Sequence, residues 1–235
     1  MKNIAIFGYK DSLTGQLINM LDVKIKKKLN CIFTLSKIPK LDLKKEHKKR
    51  PNKKTEFISN NKIFGLPVFY KRNFLNTLRE RKIKKVFIIE DSVKKRGEIF
   101  KKLKNEKIKI LNFIHKSVKL MGNNKIGNGV IIFPDCYIGY KSDIEDGAII
   151  QSGCRIEHHN VIGKYCNINP NLTTGGFAKI GNYCEINISV DIIDKINIGD
   201  FSRVGAGSLV LKNIPIKSLY YGRPAKFVKK KNSNY

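Results

Sequence analysis

No run of 18 apolar residues occurs anywhere in the 235-residue chain, so nothing in it is written to cross a bilayer as a helix. The opening Met1-Lys2-Asn3-Ile4-Ala5-Ile6-Phe7-Gly8 is too short an apolar stretch for a signal peptide and lacks a small-residue cleavage site, so the expected location is the cytoplasm. Histidine is scarce. The four, His47, His115, His158 and His159, leave little material for a zinc site that takes three imidazoles from separated positions, and no metal is expected. None of the five cysteines stands in a CxxC pair, which argues against zinc or disulfides and for reduced, buried thiols. Acidic residues are also few, 19 against 47 lysines and arginines, for a net charge of +28. Such a charge would ordinarily raise nucleic acid or an anionic membrane as partners. Here the excess is mostly lysine spread over the whole chain with many asparagines and isoleucines, which is compositional bias more than a focused patch. The one dense run, Lys44-Lys45-Glu46-His47-Lys48-Lys49-Arg50-Pro51-Asn52-Lys53-Lys54, has no interleaved aromatics on which bases could stack. It reads as a solvated loop, with a polyanion dock as the alternative. Neither nucleic acid nor stable membrane insertion is expected.

What the chain does have is a comb. A branched aliphatic stands at every sixth position: Ile114, Leu120, Ile126, Ile132, Ile138, Ile144, Ile150, Ile156, Ile162, Ile168, then Ile180, Ile186, Ile192, Ile198, Val204 and Val210. Only Thr174 breaks it. A period of six suits neither a helix nor a flat strand. It suits a chain that turns a corner every six residues and points one large side chain inward per face. Gly follows the aliphatic at 127, 139, 163, 175, 181, 199 and 205, read here as corners with left-handed backbone. Four residues past the aliphatic the side chains are mostly small, among them Ala148, Cys154, Cys166, Ala178, Cys184, Ser202 and Ser208. Three faces of six make a coil of about 18 residues, so Cys136 and Cys154, and Cys166 and Cys184, should stack in pairs. The expected architecture is a parallel β-helix of hexapeptide repeats from residue 113 to the C-terminal tail.

Residues 1–112 lack the comb. Ile4 to Gly8 reads as a buried strand, followed by Asp11 or Ser12 as helix cap and an inward face of Leu13, Leu17 and Met20. Further strands are expected at 31–35 and 85–89, an extended segment at 63–69, and helices at 74–81 and from Ser92, the last with Val93, Ile99, Phe100 and Leu103 inward. Alternating units of this kind imply a small α/β domain with a parallel, Rossmann-like sheet. Ligands of such sheets sit beyond the carboxyl ends of the strands, so Gly8, Tyr9, Lys10 and Ser12 are the candidate nucleotide or phosphate contacts. With only one glycine at the strand end, an ordinary tight turn is the alternative reading.

The succession of these two parts, with Ile156-Glu157-His158-His159-Asn160-Val161-Ile162-Gly163, Gly175-Gly176-Phe177-Ala178-Lys179-Ile180-Gly181, Val204-Gly205-Ala206-Gly207-Ser208 and Tyr221-Gly222-Arg223-Pro224-Ala225-Lys226, resembles bacterial hexapeptide-repeat sugar acyltransferases. That group includes sialic-acid O-acetyltransferases and N-acetyltransferases of nucleotide-linked 4-amino sugars. The resemblance implies a left-handed β-helix, acetyl-CoA as cosubstrate, a nucleotide sugar or sialic acid as acceptor, a product destined for a surface glycan, and a homotrimer with its sites at the seams between β-helices.

It also implies residue roles. His158 falls on the general base that takes a proton from the acceptor amine or hydroxyl, chemistry suited to an imidazole near neutral pH. Glu157 matches the family's preceding acid. The family's following acid, which orients the imidazole, is His159 here, so Glu157 or a residue of a neighbouring coil or subunit is expected to hold the ring. A second family histidine, in contact with the acetyl group, falls on Asn167, whose amide can still donate a hydrogen bond. Gly176 matches a coenzyme A contact, Ala206 stands where another such glycine occurs, and Gly205 and Lys212 complete the candidate cofactor set. The competing readings are an exposed wall histidine on a β-helix that binds or scaffolds without catalysis, and a zinc hydratase on the same fold.

Overall fold

A computed structural model of the chain describes residues 2–8, 11–34, 58–59, 62–70 and 74–230. They form two compact units, one of Met1–Glu90 with Asn105–Lys109, the other of Asp91–Lys104 with Ile110–Tyr235. The lysine run 44–54, Tyr9 and Lys10 lie outside the described residues.

The first unit is built around β1 (Ile4–Phe7), buried along its whole length. An unbroken apolar strand is what a parallel sheet covered on both faces requires. β1 pairs in parallel with β2 (Leu29–Thr34) on one side and β6 (Lys85–Ile88) on the other, and β2 pairs in parallel with β5 (Leu66–Tyr70). The order β5-β2-β1-β6 reverses direction at β1, so the turn after β1 lies at the sheet's topological switch point. Strands β3 (Ile58–Ser59), β4 (Lys62–Ile63) and β7 (Lys109–Ile110) extend the sheet. The expected extended segment 63–69 is interrupted: Phe64 and Gly65, at φ +50° and +72°, reverse the chain into an antiparallel β4–β5 hairpin. Helix α1 (Asp11–Met20) starts at Asp11, so Asp11 and Ser12 lie within its first turn rather than ahead of it, with Leu13 and Leu17 buried. Short helices α2 (Val23–Lys26) and α3 (Leu75–Glu80) follow. Phe7 stacks on Phe33 at 5.0 Å and meets Phe74 edge-on at 4.6 Å, the aromatic centre of this unit.

The second unit is a parallel β-helix. From Phe113–Ile114 to Leu209–Val210 the chain is a run of two-residue strands at six-residue intervals, each paired in register with the strand 18 residues away. Three sheets result. The first face carries Ile132, Ile150, Ile168, Ile186 and Val204, the second Ile138, Ile156, Thr174, Ile192 and Val210, and the third Ile126, Ile144, Ile162, Ile180 and Ile198. From Ile132 onward every comb residue is buried, whereas Leu120 is 43% exposed because it belongs to the first coil, with no coil beneath it. At the other end β25 (Ser218–Tyr221) pairs with the last strand of the first face and with β26 (Lys226–Lys230), and Tyr220 and Ala225 pack on the core.

The corners correct one expectation. Left-handed backbone lies three residues past the aliphatic, at Asp135, Lys141, Gly147, Gly153, His159, Tyr165, Asn171, Phe177, Tyr183, Ser189, Lys195, Phe201 and Gly207. The glycines one past the aliphatic have a different cause: a Cβ on Gly139 would stand 2.5 Å from the Glu157 carbonyl carbon, and one on Gly163 would stand 2.6 Å from that of Gly181. They are small so that successive coils can approach. The small position also does more than leave room. Cys136, Cys154, Cys166 and Cys184 donate their thiols to the carbonyls of Gln151, Asn169, Gly181 and Gly199, each 15 residues on, and Ser142 donates likewise to Glu157. All five cysteines are free and buried. Burial pushes the Cys166 thiol well above its ordinary range and that of Cys31 up to about 11.

Helix α4 (Val93–Asn105) was expected among helices on the N-terminal sheet, yet most of it groups with the coils. Its Phe100 meets the Tyr165 ring edge-on at 5.3 Å, and Gly129 and Gly147 are open enough to admit that side chain. Tyr165, Tyr183 and Phe201 form a ladder along this edge, with Tyr183 and Phe201 parallel within 3° at 4.9 Å. Buried Arg96 fastens the helix, donating to the Tyr165 carbonyl at 2.6 Å and the Asn167 Oδ1 at 2.7 Å.

Candidate active site

The prism has three edges, and the candidate residues divide among them. His158 and His159 sit on the corner between the second and third faces. Residues 18 apart stack, so Tyr140, His158, Gly176 and Asp194 form one column and Lys141, His159, Phe177 and Lys195 the next. Along strands, adjacent side chains point to opposite faces, and on that rule two neighbouring histidines would diverge. On a corner they converge. His159 has φ +57°, and its Nδ1 lies 3.0 Å from the Nδ1 of His158.

Aromatic contacts fix both rings. His159 stacks on Phe177 at 4.7 Å and 14° and meets Tyr140 edge-on at 5.9 Å. His158 meets Phe177 edge-on at 5.2 Å and is exposed. Beneath it lies the Gly176 backbone, where a Cβ would come within 2.8 Å of Nε2. The glycine is therefore the seat of the imidazole.

Of the partners expected for the ring, Glu157 is turned elsewhere within this chain. Its carboxylate accepts from the Arg155 Nε at 2.9 Å, and Arg155 lies over the Tyr137 ring. Among the described residues the partner of His158 Nδ1 is His159, the residue that replaced the family's acid. Asn167 is likewise committed: it lies on the first face, 9% exposed, its amide donating to the Asp91 carbonyl at 2.6 Å while its oxygen accepts from Arg96. A contact with an acetyl group would require those bonds to open.

Lys212 follows Val210, where the 18-residue register ends: Ile214 pairs with Ile198, 16 residues before it. Gly205 and Ala206 lie on the edge between the first and second faces, beside an amide ladder in which Gln151 donates to Asn169 at 3.3 Å and Asn169 to Asn187 at 3.4 Å. So one chain brings His158, His159, Glu157 and Gly176 together and leaves Gly205, Ala206 and Asn167 on other surfaces. In the first unit Gly8 has φ +135°, and a Cβ there would stand 2.7 Å from the Ile89 backbone; its carbonyl accepts from the Thr14 hydroxyl at 3.1 Å. Glycine is required at this turn by conformation and close approach. No group of three His, Cys, Asp or Glu residues among the described ones could hold a metal ion, and no described helix is long and apolar enough to cross a membrane.

Two supporting residues escaped the sequence reading. Asn160 is fully buried at the small position and donates to the carbonyls of Glu157 at 2.7 Å and Gly175 at 3.0 Å and to the Thr174 hydroxyl at 2.8 Å. Thr174 also accepts from the Glu157 amide at 3.1 Å. This polar inset ties the backbone beside His158 to the backbone beside Gly176. The Asn160 Oδ1 is buried with no hydrogen-bond partner among the described residues, a cost of about 1–3 kcal/mol that an apolar residue would avoid. Both residues were visible as exceptions: Thr174 breaks the comb, and Asn160, like Asn124, puts an amide at a position held mostly by small side chains. Neither exception points to the other until the 18-residue register puts them together.

No family model matches the sequence. A serine acetyltransferase of Buchnera aphidicola subsp. Schizaphis graminum is 34% identical over 128 residues, 50% of this chain and 43% of that relative, so the chain spans less than half of that relative's length. Among solved structures, PerB from Caulobacter crescentus in complex with CoA and GDP-perosamine is similar with a TM-score of 0.79 and 21% identity, covering 97% of each chain. The acetyltransferase domain of PglB from Neisseria gonorrhoeae, in complex with acetyl coenzyme A, is similar with a TM-score of 0.74 and 18% identity, covering 97% of this chain and 99% of that one. The fold of this chain is theirs, an α/β unit followed by a left-handed β-helix of hexapeptide repeats.

Proposed function

We propose that the chain is an acetyl-CoA-dependent acyltransferase acting in the cytoplasm on an amino or hydroxyl group of a nucleotide-linked sugar. The observation that carries the reading is the exposed His158, seated on Gly176 and engaged through Nδ1, so that Nε2 is the nitrogen left for an incoming acceptor. Nε2 takes a proton from the acceptor as its lone pair attacks the thioester carbonyl. The tetrahedral intermediate expels the coenzyme A thiolate, which recovers the proton from the His158 imidazolium. Gly176, Gly205, Ala206 and Lys212 are the proposed coenzyme A contacts. The nucleotide is proposed at the turn after β1, where Gly8 closes the switch point of the sheet, with Tyr9, Lys10 and Ser12.

Because Gly205 and Ala206 stand on a different edge from His158, the complete site needs a second copy of the chain, and a trimer is the proposed assembly. Exposed Phe177, Ile188, Ile193 and Leu211 are apolar surface that an assembly would cover. GDP-perosamine in the Caulobacter structure supports an amino-sugar acceptor, and the serine acetyltransferase likeness places free serine among the hydroxyl acceptors to be tried.

Thiol release from acetyl-CoA is the test, with a panel of nucleotide-linked amino sugars, sialic acid and serine as acceptors. One nucleotide sugar is expected to stand out. Release with no acceptor, together with no calorimetric binding of coenzyme A, would overturn the reading in favour of a non-catalytic scaffold.

A further inference from the structure

We propose that His159 is the positioning residue of a histidine dyad: its Nδ1 accepts the Nδ1–H of His158 and so fixes the tautomer in which the Nε2 of His158 carries a lone pair. This rests on the acyltransferase reading for its consequence and for its kinetic test, but not for the tautomer measurement. At 3.0 Å between two ring nitrogens, one must donate and the other accept. If His158 donates, its Nε2 is bare and can take a proton. If His159 donates, the proton of neutral His158 must sit on Nε2, and the base is gone.

The surroundings hold His159 as a ring. Phe177 stacks on its face, the edge of Tyr140 closes another side, and its backbone amide donates to the Tyr140 carbonyl at 2.8 Å. The charged groups around the pair are engaged elsewhere. Glu157 binds Arg155 on the same coil, Lys141 lies over the Tyr140 ring at 5.2 Å on the coil before, and Asp194 and Lys195 pair at 4.0 Å on the coil after Phe177. Among the described residues no carboxylate hydrogen-bonds to either imidazole, so the position that the resemblance gives to an acid is filled by a second imidazole.

The chain itself supplies the substitutions for a test. Left-handed corner positions equivalent to 159 are occupied by Phe at 177 and 201, Asn at 171 and Asp at 135, with φ between +60° and +62°. His159→Phe therefore keeps the corner and the ring stack while removing the acceptor, and His159→Asn and His159→Asp keep the corner and restore an acceptor oxygen.

The first measurement is the tautomer of each histidine by nitrogen NMR at about pH 8.5, above the ordinary histidine range. His158 is expected as the Nδ1–H form in the native protein, and to lose that preference in His159→Phe. The second is steady-state acetyl transfer. His159→Phe should lower kcat on the order of ten- to a hundredfold, less than loss of the base itself, with the KM for acetyl-CoA unchanged, and His159→Asn should recover most of it. An Nε2–H tautomer at His158 in the native protein would overturn the dyad, as would an unchanged kcat in a folded His159→Phe. An Nδ1–H tautomer in a protein that transfers no acetyl group would keep the dyad and sink the acyltransferase reading instead.

Discussion

Two edges of the same β-helix carry aromatic rings at the same repeat position, and only one of them has the makings of a site. On the edge between the third and first faces, Tyr165, Tyr183 and Phe201 stack and α4 lies over them, with Arg96 locking it down. On the edge between the second and third faces, His159 and Phe177 stack at a similar spacing, 4.7 Å against 4.9 Å, and Phe177 stays 48% exposed. The repeat thus supplies a place for rings in left-handed corners at both edges. Two further things set the second edge apart: an imidazole pair on the stack and, among the described residues, no helix over it.

The comparison breaks first at activity. His158→Ala should lower turnover by about 10²–10⁴ with coenzyme A affinity nearly intact, because a base acts on proton transfer and not on cofactor binding. Tyr165→Ala, on the covered edge, should cost stability and leave the turnover of folded protein close to native. Equal loss of turnover in both, measured beside calorimetric binding, would erase the distinction between the edges.

The core should be indifferent to edges. Ile150→Ala and Ile162→Ala each remove a buried comb residue and should cost about 2–5 kcal/mol in denaturant unfolding. An outward lysine such as Lys179 should cost almost nothing when replaced by alanine. Matching costs for the two classes would mean that the six-residue register does not describe the packing.

Glycines sharpen the contrast. Gly147 has φ +67°, and a Cβ there would stand 2.6 Å from the Tyr165 ring, so Gly147→Ala should lose about 1–2 kcal/mol through strain on the covered edge. In Gly176→Ala the obstacle is the His158 ring, which can swing away. Stability should change little while kcat falls on the order of ten- to a hundredfold, as a displaced base requires. A stable, fully active Gly176→Ala would show that the seat does not position the ring.

The smallest effect is at alkaline pH. Burial, then the neighbouring Tyr183 and Asp146, push the Tyr165 phenol up to about 12. Folding therefore holds that proton more tightly than the unfolded chain does, which favours the folded state fully below pH about 10 and progressively less as the pH climbs to about 12. Tyr165→Phe should flatten that part of the stability profile, and an unchanged profile would assign the loss to other groups.

The sequence by itself determined the β-helix, because a six-residue period is a local property: each inward aliphatic is specified by its own position and needs no distant partner to be read. It likewise determined that His158 stands off the core, two residues past an inward Ile156. It misplaced the left-handed corners, since glycine has two uses, conformational freedom and closeness, and only the neighbouring coil shows that the glycines after the aliphatic serve the second. It showed that α4 buries one face but not that Arg96 and Phe100 would bind the coils, because an amphipathic helix records that one face is buried but not against what. And it left the partner of His158 open between Glu157 and a residue of a neighbouring coil or subunit, where within one chain Glu157 turns to Arg155 and His159 makes the contact. Which of two adjacent polar side chains turns toward a third depends on the backbone angle at a corner and on rings contributed from coils 18 residues before and after, and those meet only when the chain has wound.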